Sequence, residues 1–81
     1  MKKYRVYISE DGYTVWEKYI YGGIIKWKCI ADRGHGHKIG SKERNLTELN
    51  LYKSLSYINK ANAGEADTLT ELISLYPEII I

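Results

Sequence analysis

Two glycine-marked turns, Asp11-Gly12 and Gly22-Gly23, cut the first 31 of the 81 residues into three β-prone runs. Connections this short leave an antiparallel meander as the simplest arrangement, because a parallel pair needs a crossover of a dozen residues or more. The first run, 3–9, alternates Tyr4, Val6 and Ile8 on one face with Arg5 and Tyr7 on the other. The second covers 13–21. In the third, 24–31, Ile25, Trp27, Cys29 and Ala31 share a face opposite Ile24, Lys26, Lys28 and Ile30.

A polar, glycine-punctuated loop follows over 32–44, with a short strand expected around His37 to Ile39. Leu51, Leu55 and Ile58 then recur at helical spacing, which predicts a helix from about Leu46 to Asn59, ended by Asn62-Ala63-Gly64. Thr68-Leu69-Thr70-Glu71 is a capping-box pattern opening a second helix, whose apolar stripe is Leu69, Leu72, Ile73 and Tyr76 and which Pro77 stops. The tail Ile79-Ile80-Ile81 is β-prone and offers either a fourth strand or a homodimer contact. One apolar sheet face covered by two helices gives the expected fold: a single α+β domain spanning 1–81, a three-stranded meander with two helices packed on it. The opposite face is expected to carry Arg5, Tyr7, Trp16, Lys18, Lys26 and Lys28, with helix cover over part of it as the alternative, since Trp16 and Ile20 are apolar.

With 44% apolar residues the chain can build a packed core, and no stretch approaches the length of a membrane span. The lone Cys29 excludes an internal disulfide and fits a reducing compartment, so a soluble cytoplasmic protein is expected. A net charge of +2 is too small to imply nucleic-acid binding, so an electrostatic argument has to rest on clustering.

Such a cluster exists. Arg33, His35, His37, Lys38, Lys42 and Arg44 fall within twelve residues, Lys26 and Lys28 project from the adjoining strand, and Trp16 is expected beside them. Cations that neutralise phosphates, interleaved with rings that stack on bases, are the chemistry of single-strand or RNA binding. An acidic protein surface would satisfy the same charges. The two histidines, with Cys29 and Asp32, also make a conceivable zinc set, although their spacing matches no standard zinc motif.

Glu48 has two readings. With Asn45 as the cap it stands at the third helical position and completes a capping box. Turned inward, it would join Asp11 and Asp67 as a carboxylate set for Mg²⁺-assisted phosphodiester hydrolysis, which needs the groups to converge. Asp67 follows Asn62-Ala63-Gly64-Glu65-Ala66, a poor strand by composition.

The order hairpin, third strand, glycine loop and helix resembles the first half of a ribonuclease H-like domain. The likeness rests on Val6 to Gly12, on Gly22-Gly23-Ile24-Ile25 and on Asn45-Leu46-Thr47-Glu48-Leu49. It implies metal-holding roles for Asp11 (or Glu10) and Glu48, with Asp67 as the third acid. Tyr4 to Tyr13 also resembles the opening strands of HicB-like antitoxins, a partial version of this fold that binds a partner and does not cleave nucleic acid. The sequence is best read as a non-enzymatic binding module of the kind found among phage and mobile-element accessory or inhibitor proteins, contacting nucleic acid or an acidic protein surface, with no resident cofactor. A minimal Mg²⁺-dependent nuclease and a HicB-like antitoxin or inhibitor are the alternatives.

Overall fold

The structure, a computed structural model, describes residues 2–40, 46–55 and 63–81. Among these, five strands and two helices follow in the order β1 (Tyr4–Ser9), β2 (Gly12–Tyr21), β3 (Ile24–Arg33), β4 (Leu46–Thr47), α1 (Glu48–Ser54), β5 (Ala63–Ala66) and α2 (Leu69–Leu75). The strands form one antiparallel sheet in the order β4-β3-β2-β1-β5. The meander of β1, β2 and β3 and the two helices are those the turn signals and apolar stripes predict. Gly22 and Gly23 close the β2–β3 hairpin with φ of 59° and 76°, the pair of left-handed residues that a two-residue loop needs to match strand twist.

The edge strands are not where the sequence suggested. The tail does not pair as a strand: Ile79 is buried in the core, while Ile80 and Ile81 remain exposed. The outer strands are instead β4, which pairs Leu46 and Thr47 with Trp27 and Lys26, and β5, which pairs Ala63 to Ala66 with Tyr7 to Tyr4. β5 has weak strand composition, and backbone pairing to β1 decides its conformation. The expected strand near His37 to Ile39 is absent among the described residues.

A second correction concerns the layers. The helices do not share a face. Leu72 of α2 packs with Val6, Tyr13, Val15, Ala31, Ala66 and Ile79 on one side of the sheet. Leu51 and Leu55 of the α1 segment pack with Tyr7, Trp16, Trp27 and Cys29 on the other. Both faces of the meander are apolar, so each needs its own cover, and a helix on each side supplies it.

The switch is made by a bulge. Val15 lies opposite Ala31, but Trp16 lies opposite Cys29, so Ile30 is the extra residue in β3. Trp27 and Cys29 therefore face α1, while Ile30 and Ala31 both pack on the α2 side. Strict alternation, which put Ala31 with Cys29, fails at this one position.

α2 begins as predicted: Thr68 is the N-cap and its hydroxyl accepts from the Glu71 amide at 3.1 Å. α1 begins two residues later than predicted. Its N-cap is Thr47, which accepts from the Asn50 amide at 3.4 Å, and Glu48 is the first helical residue instead of the third. Drawing Leu46 and Thr47 into β4 delays the helix start. α1 ends at Ser54 with Leu55 as its C-cap, short of the predicted end near Asn59, and Ala63-Gly64 of the predicted terminator belong to β5; Asn45, Asn59 and Asn62 themselves lie outside the described residues. No helix among the described residues is long and apolar enough to cross a membrane.

Candidate functional site

The glycine loop after β3 is folded onto the body by one carboxylate. Asp32 accepts from the amides of His35 (3.1 Å) and His37 (2.6 Å). The Gly40 amide then donates to the Cys29 carbonyl at 3.0 Å, which lays the loop back along β3. His37 is 9% exposed and meets Trp16 edge-on, ring centroids 5.5 Å apart. Trp16 is itself fully buried. These two rings belong to the α1-side interior, where no base can reach them to stack. Arg33 and Lys38 are exposed and His35 is half-buried, whereas Lys42 and Arg44 lie outside the described residues.

The loop also makes a contact that nothing in the sequence announces. His35 Nε2 lies 2.6 Å from Ser9 Oγ, joining residues 26 apart in the chain. Ser9 Oγ further accepts from the Asp11 amide at 3.3 Å. A serine beside a histidine suggests nucleophilic catalysis, but both Asp32 oxygens are engaged by backbone amides, so Asp32 does not orient the imidazole as a triad acid would. The contact tethers the loop to the end of β1. Zinc finds no home here either: Cys29 is buried with its thiol directed to the Ala31 carbonyl, and among the described residues no group of three or more His, Cys, Asp or Glu could hold a metal ion.

The three candidate nuclease carboxylates are kept apart. Asp11 lies in the turn beyond Ser9, and Asp67 follows Ala66, the partner of Tyr4 at the other end of β1. Five strand steps, about 16 Å, separate those ends, far beyond the spacing of a shared two-metal site.

Glu48 takes neither predicted role. Its Oε1 accepts from Arg5 at 2.9 Å and its Oε2 from the Trp27 indole N–H at 2.5 Å. Arg5 also donates to Glu65 of β5 (2.8 Å) and to the Tyr7 hydroxyl (3.0 Å), and its guanidinium stands 4.2 Å from the Trp27 ring centroid. Burial opposes the guanidinium charge, but hydrogen bonds to Glu48, Tyr7 and Glu65 outweigh it and raise the pKa further. This cluster joins β1, β3, β5 and α1 beside an open cavity of about 380 Å³ lined by Arg5, Tyr7, Glu48, Tyr52 and Glu65.

The free positive charge lies elsewhere. β1 leaves β2 at the Tyr4–Glu17 pair, and the β2–β3 ribbon continues past it to the Gly22-Gly23 turn. On the α2 side of the sheet the ribbon carries the cross-strand rows Glu17–Lys28, Tyr19–Lys26 and Tyr21–Ile24. On the α1 side it carries Lys18–Trp27, with the ammonium 5.2 Å from the ring centroid, and Ile20–Ile25. Lys3 joins the same end of the sheet, its carbonyl accepting from the Lys18 amide and its own amide donating to Ala66. Of the predicted binding residues the structure brings Lys26 and Lys28 together here. Arg33 lies five residues on from Lys28, at the far end of β3.

Among the described residues ion pairs join Arg5 to Glu48 and Glu65, and none engages Lys2, Lys3, Lys18, Lys26 or Lys28. Sequence reading singled out Lys26 and Lys28 but not Tyr19 and Tyr21, which alternate on β2 beside them just before the Gly22-Gly23 turn. Comparison with family models, with curated proteins and with solved structures gives no match for this chain.

Proposed function

We propose that this protein is a non-enzymatic binding module whose partner is nucleic acid, held by the β2–β3 ribbon and the lysines around it. The observation that carries this reading is the set of five lysines, Lys2, Lys3, Lys18, Lys26 and Lys28, at one end of the sheet without an ion pair among the described residues. Glu17 lies among them, opposite Lys28, and already accepts from the Tyr4 hydroxyl at 3.0 Å, and Asp67 follows Ala66, whose carbonyl accepts from the Lys3 amide. Ammonium groups in excess over acids, beside the exposed Tyr21 and the half-buried Tyr19, suit a phosphate backbone, whose counterions they release on binding. The lone thiol of Cys29 accords with action in the reducing cytoplasm.

The test is the affinity for a mixed-sequence oligonucleotide pool as a function of salt. The reading expects log K to fall linearly with log salt, and Lys26→Glu with Lys28→Glu to abolish binding while leaving the thermal transition in place. Affinity that is independent of salt overturns it.

A second reading is a protein inhibitor or HicB-like antitoxin that reaches its target with the ribbon tip. It is favoured by the apolar tip itself, where Ile20 is 65% and Ile24 52% exposed. It expects a nuclease-resistant protein complex on pull-down from a host lysate, unaffected by Lys26→Glu and disrupted by Ile20→Lys. No observation favours the Mg²⁺-dependent nuclease, since Asp11 and Asp67 lie at opposite ends of β1 and Glu48 is bound to Arg5 and Trp27.

A further inference from the structure

We infer that the ribbon takes single-stranded nucleic acid in preference to duplex, by receiving one unpaired base between Tyr19 and Tyr21. This rests on the nucleic-acid reading above and goes further, to the form of the strand. The two tyrosines are alternate residues of β2 and project from the same face of the ribbon, on the side that α2 covers farther along the sheet. Alternate residues of an antiparallel strand are about 6.8 Å apart. That is twice the roughly 3.4 Å step between stacked bases. Two rings at this spacing leave room for one planar base with a stacking contact on each side.

The surroundings fit such a ligand. Tyr21 is 69% exposed, so its ring is open to solvent. The Lys26 ammonium lies over the Tyr21 ring, 5.1 Å from its centroid, and Lys26 is the cross-strand partner of the half-buried Tyr19, so a cation already lies against a π-face of the outer ring. On entry of a base, Lys26 swings from the ring to the neighbouring phosphate, and Lys28, one row further in, meets the next. In a duplex every interior base is already stacked on both faces, and no base offers both faces to the slot without unpairing. Sequence preference is not expected, because every base has a π-face.

The experiment is fluorescence anisotropy of a labelled 12-nucleotide single strand and of its duplex, against the wild type, Tyr19→Leu/Tyr21→Leu and Lys26→Gln/Lys28→Gln. The single strand is expected to bind wild type more tightly than the duplex. The tyrosine variant should weaken single-strand binding by roughly 5- to 100-fold with no change in the salt slope and no change for duplex. The lysine variant should lower the single-strand salt slope by about 1.4. Circular dichroism and the emission of the buried tryptophans verify that each variant is folded, and Tyr21→Leu alone, at an exposed site, repeats the test if the double variant is not. Equal wild-type affinity for both forms, or a tyrosine variant that binds as well as wild type, overturns the base slot and leaves the nucleic-acid reading standing. Binding to neither form overturns both.

Discussion

The indole N–H of Trp27 meets Glu48 Oε2 across 2.5 Å and so ties β3 to the first turn of α1. Trp27 is fully buried, whereas the Glu48 side chain is largely exposed. The ion pair with Arg5 at this exposed carboxylate adds little, but the indole donor has no water to fall back on. Glu48→Ala is therefore expected to cost about 1–2 kcal/mol in urea unfolding, and Glu48→Gln, which keeps an acceptor, about half of that. Equal costs for the two would show that the charge, not the acceptor, matters.

The C-terminal tail is held by a side chain where a strand was anticipated. The Tyr13 hydroxyl donates to the Ile80 carbonyl at 3.0 Å and accepts from the Ile80 amide at 2.8 Å. Tyr13→Phe keeps the buried ring and removes both bonds, for an expected loss of about 1–2 kcal/mol. Amide exchange should locate the effect, with Ile80 losing protection while β2 keeps its own.

Alkaline pH should destabilise the protein through two phenols. Burial raises the pKa of Tyr7 above 10.0, partly opposed by its hydrogen bond from Arg5, and the hydrogen bond to Glu17 together with burial raises that of Tyr4. The folded state thus keeps these protons where the unfolded state releases them. Their contribution is complete below about pH 10 and is lost as pH rises through the raised folded values. Urea midpoints measured from neutral pH upward should fall above about pH 10, and Tyr4→Phe/Tyr7→Phe should flatten that fall.

Gly64 of β5 faces Tyr76. A Cβ built at Gly64 would lie 2.0 Å from the Tyr76 hydroxyl oxygen and 2.3 Å from the ring carbon that bears it. Gly64→Ala must displace a ring packed against the α2-side core, at about 1–3 kcal/mol. Combined with Tyr76→Leu, the cost should be less than the sum of the two single losses, and an additive double mutant would show that the two sites do not share this space.

Local chemistry was the legible part of this chain. Asp11-Gly12 and Gly22-Gly23 place the turns, and Thr68 with Glu71 starts α2, because turn and cap residues act over three or four positions. What escaped the sequence is pairing at a distance. Ala63 to Ala66 has no strand propensity to read and becomes β5 only because β1 offers an open edge, reinforced by Arg5 and Glu65. Thr47 replaces Asn45 as the recognisable cap because β3 captures Leu46 first. The candidate site was half legible: clustering found Lys26 and Lys28, while Trp16 and His37 look like recognition residues in a polar context and turn out to be each other's packing partners. The Ser9–His35 contact had no signature at all, since nothing about either residue specifies the loop closure that joins them.

The supernumerary Ile30 lets a single strand serve two interiors. Upstream of it β3 supplies Trp27 and Cys29 to one, and downstream it supplies Ala31 to the other. Sliding β3 by one residue against β2 would turn Ala31 out of its packing and Asp32 away from the amides it holds. The chain is thereby locked against slippage: no neighbouring alignment of β2 and β3 can fill both interiors at once.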